Sequence, residues 1–133
     1  MHGFEWTSLA TAAALVVYMF MSIRVGVARA KYKVAAPAMS GDPMFERHVR
    51  VHLNTLEWLP VFLPSMWMFA MYWSDAIAAG IGVVWILGRI LYMMLYVNDP
   101  KTRSFGFGIQ AIATFVLLGG AIWGAASALI HMP

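Results

Sequence analysis

Four side chains in one stretch of the sequence, Arg47, Arg50, Asn54 and Glu57, are spaced i, i+3, i+7 and i+10. At about 100° per residue, that spacing lines them along one stripe of a helix. His52 points away from the stripe. The mix of cation, amide and anion gives way to Pro60, Val61 and Pro64, as in a polar groove running into an apolar segment. Arg89, Tyr92 and Tyr96 recur at i, i+3 and i+7 and also share a face. Arg103 stands where a further helix begins, and backbone N–H groups there point toward a bound anion. Arginines hold carboxylates bidentately, a glutamate can take an ammonium, and an arginine beside a thiol raises its thiolate fraction. A single cavity collecting Arg29, Arg50, Arg89 and Arg103 with Asn54, Glu57, Tyr92 and Tyr96 would suit a small, flexible molecule bearing carboxylates and an amine.

Plainer readings compete with this one. A solvated helix start accounts for Arg47 and Arg50, interfacial anchoring accounts for tyrosines near a helix end, and Arg29 and Arg103 could be interfacial arginines. Glu57 fits a plain reading poorly because it lies inside an apolar run, where an ionised side chain costs roughly 2.5–3.5 kcal/mol. It is expected to be buried and paired with Arg89 on the neighbouring helix.

The elements that must position these residues follow from composition. The chain has 133 residues, 62% hydrophobic and 11% charged, with a mean hydropathy of +0.72. Soluble domains carry about 45–50% apolar and about 25% charged residues, and a chain this short cannot bury such an excess. Lipid is the alternative solvent. Nine Lys and Arg against six Asp and Glu give a net charge of +3, and there is no cysteine. The hydrophobic runs favour a membrane over nucleic acid as the basic chain's partner, and the missing cysteine excludes zinc–thiolate sites and a protein thiol nucleophile. No metal is expected.

A membrane span needs about 20 mostly apolar residues. Runs at about 6–23, 46–73, 76–97 and 104–131 give four spans in one domain covering residues 1–133, an all-α integral membrane four-helix bundle. Met1 to Trp6 holds Glu5 and no Lys or Arg, so the first run reads as a retained span and not a signal peptide. Arg24, Arg29, Lys31, Lys33, Arg47 and Arg50 lie in or just after the first connection, taken as Arg24 to about Phe45, and Lys101 and Arg103 lie in the third. The positive-inside bias puts those two connections in the cytoplasm and both termini outside. The length of the first loop and the absence of targeting motifs fit a bacterial inner membrane, with a eukaryotic endomembrane as the alternative. Ser40-Gly41-Asp42-Pro43 and Asn98-Asp99-Pro100 read as aspartate-capped helix starts with proline at the first position. Pro60 and Pro64 should bend the second helix. The glycines at 80, 82, 88, 106, 108, 119, 120 and 124 would let helices approach closely.

The segment from Phe45-Glu46-Arg47 through Arg50 and Asn54 to Glu57, followed by Pro60 and Phe62, resembles the F-E-R-x-x-R-x-x-x-N-x-x-E motif of the MAPEG superfamily, the membrane-associated proteins in eicosanoid and glutathione metabolism. Arg89-x-x-Tyr92-x-x-x-Tyr96 and Arg103 resemble the microsomal glutathione transferase and leukotriene C synthase branch. The resemblance implies a four-helix protomer in a homotrimer, with glutathione between protomers. It further implies that Arg50, Asn54, Glu57, Tyr92 and Tyr96 hold glutathione with Arg29 and Arg89 assisting, that His52 lies near the peptide, and that Arg103 stabilises the thiolate. Two features depart from that branch. Trp58 stands where leukotriene C synthases have a tyrosine, and Arg103-Ser104 is similar to the prostaglandin E synthase branch, which gives the serine a catalytic role. One non-catalytic member of the family lacks the arginine at the position of Arg50, so its presence here favours an enzyme.

The expected function is that of a glutathione S-transferase acting on lipophilic electrophiles, with glutathione-dependent reduction of lipid hydroperoxides. The alternatives are a non-catalytic lipid-binding scaffold and a glutathione-dependent isomerase of a lipid endoperoxide.

Overall fold

The computed structural model describes residues 3–133. Met1 and His2, part of the segment weighed as a signal peptide, lie outside the described residues. Four long helices run in chain order: α1 (Glu5–Lys31), α2 (Pro43–Tyr72), α3 (Asp75–Asn98) and α4 (Ser104–Ile130), with a one-turn 3-10 helix, Pro100–Thr102, ahead of α4. The protein is an all-helical membrane bundle. By length and composition, α1, α3 and the segment Pro100–Ile130 can each cross a membrane. The 30-residue α2 is long enough, but its polar stripe and two internal prolines dilute its apolar character.

Helix ends follow local chemistry. Asp42 accepts from the Met44 N–H at 2.8 Å, and Pro43 occupies the first turn of α2, where its missing N–H leaves no bond unmade. Ser74 caps α3 through the Ile77 N–H. α1 does not stop at Ile23. It continues to Lys31, so Arg24 and Arg29 are helical and the first connection begins at Tyr32. The apolar run marks where lipid ends, whereas Arg, Ala and Lys are good helix formers and carry the helix on into the headgroup layer. Asp99 caps the 3-10 turn through the Lys101 N–H instead of starting α4 directly. α2 continues unbroken through Pro60 and Pro64.

The bundle is tied at both ends. At one, the Asp75 carboxylate accepts from the backbone N–H groups of Trp6 and Thr7 at 3.1 and 2.8 Å, capping α1 from α3. At the other, Arg47 donates to the last carbonyls of α3, Val97 and Asn98, at 2.9 and 3.2 Å. A cation suits the negative end of a helix. The core stacks Phe62 of α2 flat on Trp85 of α3, with ring centroids 3.9 Å apart. Side chains facing outward are apolar, as lipid requires: Ile23, Leu87, Phe115 and Trp123 are all around 60% exposed.

Two glycine seams set helix spacing. A Cβ at Gly106 would press into the backbone of Tyr92 and lie 2.9 Å from the Gly88 carbonyl oxygen, and one at Gly88 would lie 2.9 Å from the Gln110 nitrogen. Only Gly–Gly contact allows α3 and α4 to lie this close. Gly120 and Gly124 receive the rings of Phe69 and Tyr72, seating α4 on α2. Gly80, Gly108 and Gly119 have open space beside them and do no such work.

Candidate functional site

α2, α3 and α4 leave a cavity of about 460 Å³ where the Arg47 tie closes the bundle. α2 supplies Arg50 and Asn54, one helical turn apart. α3 supplies Tyr92 and Tyr96, also one turn apart, with ring centroids at 5.5 Å. Arg103 and Ser104 lead into α4, and Phe107 follows one turn later. The Gly88–Gly106 seam holds the Tyr92 wall against the Ser104–Phe107 wall. Six sequence-derived site residues therefore converge on one space: Arg50, Asn54, Tyr92, Tyr96, Arg103 and Ser104.

Two guanidinium groups face this space. Arg50 donates to Glu57 Oε1 at 3.3 Å, and both side chains are more than half exposed. Arg103 donates from Nη1 to the Pro100 carbonyl at 2.8 Å. A guanidinium has five N–H donors, so each arginine retains several for a ligand.

Arg89 does not pair with Glu57, contrary to the sequence reading. It is fully buried and donates to Asn54 Oδ1 at 2.8 Å and Thr55 Oγ1 at 3.3 Å. Its guanidinium carbon lies 4.9–6.0 Å from the ring centroids of Trp58, Trp85, Tyr92 and Phe107. This aromatic enclosure offsets part of the loss of water around a cation. Because arginine only donates, Asn54 must accept with its oxygen, and its NH₂ is left as the donor. Glu57 finds its partner on its own helix, two turns from Arg50 on the same face. It is more than half exposed, so the expectation of a buried Glu57 fails in the isolated chain. Periodicity shows which residues share a face but not how that face is rotated toward its neighbour.

Arg29 and His52 lie away from the cavity. Arg29 donates to the carbonyls of Val34 and Ala38 at 3.3 and 2.8 Å and covers the Phe45 ring, organising the first connection. His52 stacks on Tyr18 of α1 with centroids 4.7 Å apart. Three participants were missed from sequence. Phe107 stands one turn from Arg103, a spacing that could have flagged it. Thr55 sits next to Asn54 and gave no signal as an Arg89 partner. Trp58 was noted only for a lost hydroxyl, whereas it meets Phe107 edge-on at 5.4 Å and 86°.

Over residues 7–123 the sequence matches the family described as the MAPEG family. It is similar to microsomal glutathione S-transferase 2 of Homo sapiens, with 39% identity over 102 residues, covering 75% of this chain and 69% of that protein. It is similar to leukotriene C4 synthase of Cavia porcellus, with 32% identity over 122 residues, covering 90% and 81%. An uncharacterized protein of Synechocystis sp. is 46% identical over 117 residues, covering 88% and 85%.

Proposed function

This chain belongs to the MAPEG family, and from that premise we propose that it is a membrane-bound glutathione S-transferase that conjugates glutathione to lipophilic electrophiles. The observation that carries the proposal is the meeting of Arg50, Asn54, Tyr92, Tyr96, Arg103 and Ser104 around one cavity. Its volume lies in the range of small-molecule sites, about 300–1,000 Å³. The similarity to glutathione S-transferases supports glutathione as co-substrate.

Glutathione carries two carboxylates, an ammonium and a thiol. Arg50 binds a carboxylate, Glu57 takes the ammonium, and the Asn54 NH₂ and the Tyr92 and Tyr96 hydroxyls hold the peptide. Arg103 sits at the start of α4, with Ser104 next to it, and stabilises the thiolate by charge and hydrogen bonding. Unaided, only a few per cent of such a thiol is ionised at neutral pH. The thiolate sulfur attacks an electrophilic carbon arriving from the lipid side. The new carbon–sulfur bond replaces the bond to the leaving group, which departs with its electron pair. With a lipid hydroperoxide, two glutathiones are oxidised to the disulfide and the hydroperoxide is reduced to alcohol and water. Positioning and electrostatics supply the catalysis, with no covalent protein intermediate.

Arg29 and His52 enter this proposal through a homotrimer, in which a neighbouring copy brings them to the cavity. The exposure of Arg50 and Glu57 supports such a shared site. The Arg47 tie puts the first and third connections at one end of the bundle, which supports placing both in the cytoplasm, as in a bacterial inner membrane.

The test uses detergent-purified full chain with glutathione and an aryl halide. Isothermal titration reads binding, ultraviolet absorbance reads thiolate, and product formation reads turnover. Arg50→Ala should weaken binding about tenfold or more, from the loss of a charge-assisted bond of about 1.5–3 kcal/mol. Arg103→Ala should lower thiolate and turnover far more than binding. Equal losses of binding and thiolate would remove Arg103 from this role. Binding without turnover would leave a scaffold, and no binding would reject the proposal outright.

A further inference from the structure

A second groove, of about 300 Å³, opens at the same end of the bundle but between α1 and α2, away from the cavity. Arg24 and Lys31 on α1 and His48 on α2 line its polar part, and Phe20, Ile23 and Val27 line its apolar part. We propose that this groove binds an anionic phospholipid, with the phosphate held by Arg24, Lys31 and His48 and an acyl chain lying along Phe20 and Ile23.

Three observations carry this. First, positions 20, 24, 27 and 31 follow i, i+4, i+7 and i+11, so Phe20, Arg24, Val27 and Lys31 share one stripe of α1 with apolar and cationic side chains alternating. Phe20 and Ile23, on the membrane side of Arg24, are 50% and 62% exposed, leaving that end free for a hydrocarbon chain. Second, the cations lack acidic partners. Neither Arg24 nor Lys31 forms an ion pair among the described residues. Their contacts are to rings: the Arg24 guanidinium lies 5.9 Å from the Phe20 centroid, and the Lys31 ammonium lies 5.4 Å from that of Tyr32. No carboxylate lines the groove, so its charge complements an anion.

Third, the depth is right. From Trp6 to Ile23, α1 rises about 26 Å at about 1.5 Å per residue, close to the hydrocarbon thickness of about 30 Å. Arg24 therefore meets the headgroup boundary and Lys31 lies beyond it. Side chains on a helix lean toward its N-terminus, which here turns both cations back toward the membrane. A diffuse excess of positive charge would need none of this geometry, whereas the groove sets two cations of α1 beside the His48 imidazole of α2.

The test titrates the detergent-purified full chain with phosphatidylglycerol and with phosphatidylcholine of the same acyl chains, counting bound lipid by native mass spectrometry. Arg24→Gln, Lys31→Gln, the double variant and Lys101→Gln are compared, with thermal unfolding by circular dichroism confirming that each is folded. Wild type should retain one phosphatidylglycerol per chain in preference to phosphatidylcholine. Each groove substitution should weaken that preference about fivefold, the effect of one basic residue near an anionic surface. The double variant should lose the preference, and Lys101→Gln, which lies outside the groove, should keep it. Equal retention of the two lipids by wild type would overturn the proposal. So would a double variant that keeps the preference, or a loss in Lys101→Gln matching that of the groove variants, which would indicate bulk charge alone.

Discussion

Replacing Arg89 by Met should weaken glutathione binding about tenfold while leaving unfolding stability within about 1 kcal/mol of the wild type. Opposing terms meet at one fully buried side chain. The variant loses the bond to Asn54 at 2.8 Å, worth about 1.5–3 kcal/mol with a charged donor, and the longer, weaker one to Thr55. It also loses the cation–π contribution of the surrounding rings, about 2 kcal/mol when desolvated. Against this, burying an ion carries an effective penalty of several kcal/mol, and Nε and Nη2 of Arg89 have no partner. Methionine is of similar length, flexible and apolar, and it fits among aromatic rings. The two sides nearly cancel in stability. They do not cancel in binding, because the freed Asn54 amide can rotate and no longer presents its NH₂ to the cavity. Losing one oriented hydrogen bond of about 1.4 kcal/mol is a factor of ten. Isothermal titration and thermal unfolding of the same preparations measure both quantities, with Arg89→Lys expected to restore part of the binding through a single donor. Wild-type binding in Arg89→Met, alongside a stability loss of about 3 kcal/mol or more, would refute the positioning role and make Arg89 a packing residue.

Gly106→Ala should destabilise by about 1–3 kcal/mol, typical of overpacking, and should also lower glutathione affinity by parting the two cavity walls; unchanged thermal unfolding would contradict the seam. Asp75→Ala should cost about 1–2 kcal/mol, as loss of a helix cap does, with glutathione titrations unaffected because the cap lies at the opposite end. Gln110→Leu should raise stability, since both amide atoms of Gln110 are buried without a partner and an unsatisfied buried group costs about 1–3 kcal/mol. A fall in its unfolding midpoint would show that the amide is satisfied in the membrane.

Apolar runs were enough to place α1, α3 and α4, because lipid demands continuous hydrophobic length whatever the packing, whereas the start of α2 was legible from Asp42 and Pro43. The runs misplaced the end of α1, since a helix does not stop where the hydrocarbon does, and they gave no sign of the 3-10 turn before Arg103. Within the site, spacing alone put Arg50 with Asn54 and Tyr92 with Tyr96. That the two pairs face each other depends on helix rotation about the Gly88–Gly106 seam, which no single-helix pattern encodes. The exchange of partners, with Arg89 on Asn54 and Glu57 on Arg50, turns on the same rotation. Arg29 joins the cavity on charge alone and His52 through family resemblance, whereas within one chain they serve the first connection and the α1–α2 contact.

The bond from Arg47 to the end of α3 sets a phase as well as an anchor. Arg47 and Arg50 lie three residues apart on a continuous helix, so fixing one fixes the angular and axial position of the other. Inserting a single residue between them, with Arg47 still on Val97, would turn everything beyond it by about 100°. Arg50 and Asn54 would swing out of the cavity, and the helix itself would remain intact. Tolerance to insertions should therefore change abruptly along α2, high before Arg47 and low between it and Asn54, although both stretches are equally helical.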